Sequence, residues 1–476
     1  MGRCRASLIL GLGATVLVGC VTKPEPKAED VRALAIPHVA VPQAWSMQAN
    51  PAPVEAGWLA TFGDPQLDAL VNEALANNPD LAIAAARVEQ ADAQVDLATA
   101  QLKPAIGILG RAGSKPVSDL VAMLSGVMLR LTWEIDLWGR LRYARYAAIA
   151  QRDASGADYR FARQSLAASV ARAWFVATET AQQVKLANTM AGDAERLVGL
   201  SNDRLRVGAG NETDVLAARA SQANYEDAAK QVELAHRSAL RALEILVGRY
   251  PSAAIAARED LDAFPGPVPT GMPMDALDRR PDLVAAQRRV AAAFDLVGEA
   301  KASFWPTLGI SAGYGRVSRR SRVAASVDQT TASGSATTVV PIYFGGQLTG
   351  NVALRTAEQH EAIANYGRLA LQALDEVETA LDNENTLATR EQLLREATED
   401  SRRAAGLTET SYRIGKSDLR DVMNRQLSAN AAEVALLAVR RERLVRRVDL
   451  HLALGGDFVQ GDAAANAEAA PSGAQR

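Results

Sequence analysis

The chain has 476 residues, a net charge of −3 and only 5% aromatic residues. A charge this near neutral excludes the basic footprint of a nucleic-acid binder. The low aromatic content with abundant alanine favours closely packed helices over a thick aromatic core.

Met1 to Cys20 carries Arg3 and Arg5, an apolar run from Ser7 to Gly19, and ends Leu17-Val18-Gly19-Cys20. A basic end and a short apolar run read as an export signal over 1–19, too short to span a membrane. Leu-Val-Gly-Cys resembles the lipobox of bacterial lipoproteins, in which the cysteine is lipidated and becomes the first mature residue. Cys20 is therefore the expected lipid anchor, and Val21, where retention at the inner membrane would need aspartate, points to the outer membrane. The alternative is an ordinary cleaved signal with an incidental cysteine. Both cysteines lie at this end, so no disulfide or thiolate metal site is expected in the mature chain. Elsewhere no stretch holds ~20 unbroken apolar residues, so any crossing must be a β-barrel.

Residues 20–65 are rich in proline (Pro24, Pro26, Pro37, Pro42, Pro51, Pro53) and read as an extended tether. From Gln66 the period turns helical, with Leu67, Leu70, Val71 and Ala74 on one face. Asn77-Asn78 interrupt it, and Pro79 suits the first turn of a second helix running to Pro104. Val127, Leu129, Leu131, Trp133, Ile135 and Leu137 then alternate with Arg130, Thr132, Glu134 and Asp136. That is a period of two over about 11 residues, the length of a tilted membrane strand. With Ile106 to Gly113 it forms a hairpin at about 105–138. No proline occurs from Val117 to Tyr250, where a very long helical hairpin is expected. It turns at Arg206-Val207-Gly208 and returns through Asp214-Val215.

Residues 251–273 hold several prolines and read as a linker between two related halves, 66–250 and 274–456. Pro281-Asp282-Leu283 echo Pro79-Asp80-Leu81, and Pro306 echoes Pro104. A second hairpin is expected at about 306–345, from Leu308, Ile310, Ala312 and Tyr314 together with Ala336 to Phe344, Pro341 lying near a strand end. Arg316, Arg319, Arg320 and Arg322 are assigned to a longer outer loop, as a solvated charge run. The second helical hairpin turns at Arg413-Ile414-Gly415 and returns through Asp421-Val422, with arginine, glycine, aspartate and valine in the same places as in the first. Residues 457–476 read as a disordered tail.

Four strands cannot close a membrane barrel, which needs at least ~8 and tolerates no open edge in lipid. The chain must therefore associate; two copies would close a minimal barrel and three would give twelve strands. The expected fold is mainly α with a small transmembrane β part, and long antiparallel helical hairpins in two internal repeats.

At this point the chain resembles the outer-membrane factor family, the TolC-like channels, and in particular the lipoprotein branch serving tripartite drug efflux. The resemblance covers about Trp58 to Gly456 and rests on motifs taken in order: Gly63-Asp64-Pro65, Asn78-Pro79-Asp80-Leu81, Arg279-Arg280-Pro281-Asp282-Leu283, Phe304-Trp305-Pro306, Pro341-Ile342-Tyr343-Phe344-Gly345-Gly346 and the two glycine turns. It implies a homotrimer with a twelve-stranded β-barrel and an α-barrel tunnel. The implied partners are outer-membrane lipid, a periplasmic adaptor and a proton-driven inner-membrane transporter. It also implies a periplasmic gate at Asp214, Tyr412 and Asp421, with Gly208 and Gly415 on the turns that meet the adaptor. Asn424 stands where some relatives carry another aspartate and Ser417 where some carry arginine, so fewer gate salt bridges are expected. Asn211-x-x-Asp214 and Asp418-x-x-Asp421 also read as helix caps, and both roles stay open.

No catalytic constellation, cofactor site or metal site is read: His38, His236, His360 and His451 are scattered, none paired at i, i+4. A passive exit duct is the leading function. A protein-secretion exit and a non-conducting coiled-coil lipoprotein are the alternatives; the polar face of Arg130, Glu134 and Asp136 argues against the last, which needs no lumen.

Overall fold

The computed structural model describes residues 26–47, 50–111, 114–115, 122–258, 260–261, 264–321 and 327–459. The chain divides into two compact units, one of Met1–Val39, Ala85–Asp158 and Val284–Leu369, the other of Ala40–Ala84, Tyr159–Leu283 and Ala370–Arg476.

The helices follow from local chemistry. After α1 (Ala28–Ala35) and a 3-10 turn (Trp58–Phe62), Asp64 caps α2 (Pro65–Asn77) by accepting from the Gln66 and Leu67 amides at 2.9 and 3.2 Å. Asn78 is extended, as a residue before proline must be, and its Oδ1 caps α3 (Pro79–Ala100) through the Asp80 and Leu81 amides. The two long hairpins are α4 (Arg140–Arg206) with α5 (Glu212–Val247), and α8 (Gln347–Arg413) with α9 (Leu419–Ala453). Between them lie α6 (Pro273–Arg279) and α7 (Pro281–Ala302).

The first unit holds the sheet. Strands β1 (Ala105–Arg111) and β2 (Ser114–Lys115) pair with β3 (Ala122–Ile135) in one register, so they are two pieces of one strand. β3 pairs with β4 (Thr307–Ser321) and β4 with β5 (Val327–Val339), all antiparallel, in the order β1-β3-β4-β5. The four strands thus leave β1 and β5 as edges. Beneath them the helices meet through small residues: Ala150 packs with Ala291 and Ala292. A Cβ at Gly298 would lie 2.7 Å from the Tyr143 ring.

The second unit is helical, and its main core gathers Trp58, Phe62, Leu67, Val71, Trp174, Phe175, Leu243 and Val448. Its two repeats make matching contacts. Asn78 donates to the Leu246 carbonyl at 2.9 Å, and Arg280, at the equivalent position, donates to Ala453 at 3.2 Å while pairing with Glu376 and Asp282.

Four expectations need correction. Residues 20–65 are not an extended tether where they are described: α1 buries Val31, and Trp45, Trp58 and Phe62 are buried too. Trp45 donates to the Gly271 carbonyl at 3.1 Å, and Asn50 accepts from Thr270 at 2.8 Å. The prolines bar a long helix but leave each aromatic free to dock. The last strand is Val327–Val339 rather than Ala336–Phe344, because Pro341 has no amide to give and the upstream Thr/Ser/Ala alternation is too small-sided to stand out. Arg316, Arg319 and Arg320 belong to β4, not to a loop, and Arg322 falls outside the described residues. The tail begins packed: Phe458 is buried with Arg163 over its ring at 5.8 Å, and Asp457 accepts from the Gly57 amide.

Candidate functional site: the two-faced sheet and the hairpin tips

Residues directly opposed across an antiparallel pair share a face. The registers place Ile106 and Ile108 of β1 beside Leu131 and Leu129 of β3, then beside Ala312 and Tyr314 of β4. Val127, Trp133, Ile135, Leu308 and Ile310 share that face with Ala332 and Ala336 of β5. The opposite face carries Met128, Arg130, Thr132 and Glu134 with Gly309, Ser311, Gly313, Ser333, Ser335 and Thr337. One face is therefore apolar, while the other holds the charged and hydroxyl side chains among small residues, with Leu109, Met128 and Val317 its apolar members toward the Arg316 end. From Val127 to Ile135 the apolar run rises about 20 Å at a ~40° tilt, close to the ~25 Å band of outer-membrane barrels. It ends at an Arg316–Asp328 ion pair of 3.5 Å.

At the opposite end of the sheet aromatic side chains collect. Trp138 donates its indole N–H to the Pro306 carbonyl at 2.7 Å and stacks on Trp305 at 4.9 Å. Trp133 donates to the Leu102 carbonyl at 2.9 Å, and Ile342 and Tyr343, just past β5, are 92% and 85% exposed. Amphipathic rings at such a level suit a membrane–water boundary. Toward the Arg316 end, close strand approach needs glycine, since a Cβ at Gly315 would collide with the Val127 carbonyl.

The hairpin tips lie in the second unit. Gly208 and Gly415 both have φ +77°, a value that disfavours any side chain. Each ends its helix in the same way. Gly208 and Ala209 donate to Leu205 and Arg204 at 3.0 and 2.8 Å, and Gly415 and Lys416 donate to Tyr412 and Ser411 at 3.0 and 2.8 Å. The return helices are capped by Asn211 and Asp418, which accept from the Asp214 and Asp421 amides at 2.9 and 2.8 Å. Asn211 donates back to the Asp214 carboxylate at 3.2 Å, and the Ser417 hydroxyl to that of Asp421 at 3.2 Å. Both aspartates thus sit in the first turn, where the helix dipole favours an anion.

Tyr412 is buried with Leu197, Ala218, Leu419 and Val422, which join all four long helices. Its hydroxyl reaches neither aspartate and has no hydrogen-bond partner among the described residues. Arg204 instead lies over the ring at 4.4 Å, donates to the Tyr412 carbonyl and donates to the Ala209 carbonyl at 3.0 Å. One guanidinium therefore ties the first tip to the second. Sequence reading missed it because Ser411 occupies the repeat-equivalent position; a cation in the last turn of α4 was the available cue. Cys20 lies outside the described residues.

Other polar groups serve packing. His236 meets the Thr180 hydroxyl at 3.0 Å, with burial lowering its pKa, and Ala177 opposing that shift. His451 stacks on Trp58 at 5.4 Å, and among the described residues no group of His, Cys, Asp and Glu is arranged to hold a metal. No helix of the described residues is long and apolar enough to cross a membrane.

Comparison with known proteins matches this arrangement. The antibiotic efflux pump outer membrane protein ArpC of Pseudomonas putida is 27% identical over 475 residues, covering 98% of each chain. The pyoverdine export outer membrane protein OpmQ of Pseudomonas putida is 30% identical over 443 residues, 88% of this chain and 93% of that one. The outer-membrane channel OprN superposes with a TM-score of 0.79 at 26% identity, over 89% of this chain and 99% of its own. The outer membrane efflux protein family matches residues 70–249 and 272–456, and the chain belongs to that family.

Proposed function

We propose that the chain is a passive exit duct of the outer membrane, through which a periplasmic adaptor and an energised inner-membrane transporter expel small molecules. The observation that carries this is the sheet: four strands, two unpaired edges, one apolar face and one polar face. Edges in lipid must pair, and three copies joining β5 to the next β1 give a closed twelve-stranded barrel with the polar face inward. The helical hairpins then continue the conduit on the periplasmic side, with Gly208 and Gly415 on the turns that meet the adaptor. Asp214, Tyr412 and Asp421 belong to its closing tip, the aspartates acting as caps and as a ring of carboxylates together. Cys20 carries the lipid anchor. ArpC and OpmQ, by their names, export an antibiotic and pyoverdine, which supports small-molecule cargo here. Native mass spectrometry of detergent-extracted protein tests the assembly. A trimer with a β-sheet circular-dichroism signal is expected, and a stable monomer keeping that signal refutes the topology.

A further inference from the structure

Among the described side chains on the polar face of the sheet, two are ionisable, Arg130 and Glu134. Their situations differ. Glu134 is held by Arg140, whose guanidinium donates to both carboxylate oxygens at 2.8 and 3.0 Å. Asp136, one residue past β3, accepts on one carboxylate oxygen from the Arg142 guanidinium at 3.0 Å and on the other from the Leu141 amide at 3.2 Å. Arg130 has neither an ion-pair nor a hydrogen-bond partner among the described residues. Its cross-strand neighbours are Gly107 on β1 and Gly313 on β4, so no side chain flanks it on either side. The next residues on this face are Ser311 and Gly315 on β4, Ala105 and Leu109 on β1, and Met128 and Thr132 along β3, none of them charged. Arg130 is thus a long charged side chain with glycine on both neighbouring strands and no opposite charge beside it among the described residues.

We infer that Arg130 forms an anion-attracting collar in the strand-built part of the conduit, favouring passage of small anions and of cargo bearing carboxylate, phosphate or sulfonate groups. This rests on the exit-duct reading and deepens it by naming a cargo class. Twelve strands about 4.8 Å apart, tilted by about 40°, enclose a backbone radius of about 12 Å. The arginine stems narrow that lumen further. What is left is comparable to the Debye length of about 8 Å at physiological salt, so mobile ions do not screen three guanidinium groups from the axis. Low-dielectric walls concentrate the field inside. A lumen potential of only about half of kT changes the ratio of anion to cation permeability about threefold, because it raises one and lowers the other.

The test compares wild type, Arg130→Lys, Arg130→Gln and Arg130→Glu trimers in planar bilayers under a tenfold potassium chloride gradient. The hairpin tips are the same in all four, so differences in reversal potential isolate the barrel. Arg130→Lys is expected to keep the wild-type chloride-to-potassium permeability ratio. Arg130→Gln should lower it about threefold, and Arg130→Glu further. Inorganic tripolyphosphate added on the outer-loop side should reduce wild-type current and leave Arg130→Glu unaffected. Equal permeability ratios in wild type and Arg130→Gln overturn the assignment while leaving the duct in place. A protein that forms no pore either as wild type or with the tips released by Arg204→Gln overturns the duct reading and this inference with it.

Discussion

If the hairpin tips close the conduit, Arg204 is the side chain whose loss should open it. The variant Arg204→Gln keeps the aliphatic stem and removes the charge. Arg204 makes two charge-assisted bonds, to the Tyr412 and Ala209 carbonyls, and a cation–π contact with the Tyr412 ring at 4.4 Å. At about 1.5–3 kcal/mol per bond and about 0.5–2 kcal/mol for the ring, the upper bound is about 8 kcal/mol. The Ala209 bond is solvent-exposed and glutamine can replace one donor, which reduces the working figure to about 2 kcal/mol per chain. Three chains opening together lose about 6 kcal/mol, enough to carry a two-state gate from mostly closed to mostly open, which takes about 5.5 kcal/mol. Single-channel conductance should rise, and cells should become sensitive to a large glycopeptide antibiotic. Tyr412→Phe removes a hydroxyl with no partner among the described residues, so alone it should do little. Wild-type conductance and antibiotic entry in Arg204→Gln would refute the latch. Full opening by Tyr412→Phe would instead mean that its hydroxyl bonds to a neighbouring chain.

Other outcomes follow from single side chains. Asp64 caps α2, accepts the Trp174 indole N–H at 2.7 Å and pairs with Arg258 at 3.3 Å. Asp64→Ala should cost about 2–4 kcal/mol, from the lost cap and the buried N–H left unpaired, read as a lower unfolding midpoint in detergent; an unchanged midpoint contradicts the role. Burial, and the Arg447 charge after it, push the His451 imidazole down to about 3. Between the unfolded value near 6.5 and that folded value the unfolded chain binds the extra proton, so stability falls as pH drops, by about 2 kcal/mol per chain at pH 5. His451→Phe should keep the stack on Trp58 and flatten thermal stability between pH 7 and 5; a slope equal to wild type refutes this. Cys20→Ser should abolish acylation, and mass spectrometry finding an unmodified wild-type amino terminus removes the anchor.

The repeat was legible because backbone requirements fall on few residue types. Pro79 and Pro281 open α3 and α7, Gly208 and Gly415 take a positive φ, and each leaves a visible mark in the chain. The period-two run from Val127 to Ile135 likewise announces a strand with two unlike faces. β5 was misplaced because Thr330, Ala332, Gly334 and Ala336 are too small to show which face is apolar; their partners on β4 decide it. The prolines before Pro65 suggested a tether, although Trp45 and Trp58 are buried with the help of residues more than two hundred positions away, at Gly271 and His451.

The tips show the division most plainly. Local sequence determined both caps and both turns, since Asn211 with Asp214 and Asp418 with Asp421 act within three residues of one another. Only the tertiary structure decided what Tyr412 does. Its ring is buried by helices from both hairpins, and its ion partner is Arg204, with Ser411 at the repeat-equivalent site. Arg130 is the converse case. Its charge and alternation were visible in the chain, but its lack of a partner was not: Glu134 is taken by Arg140, and the strands on either side place Gly107 and Gly313 beside it. Spacing along a chain reports interactions within a turn or a strand. Pairing across helices and strands depends on register, which only the folded sheet and the packed hairpins specify.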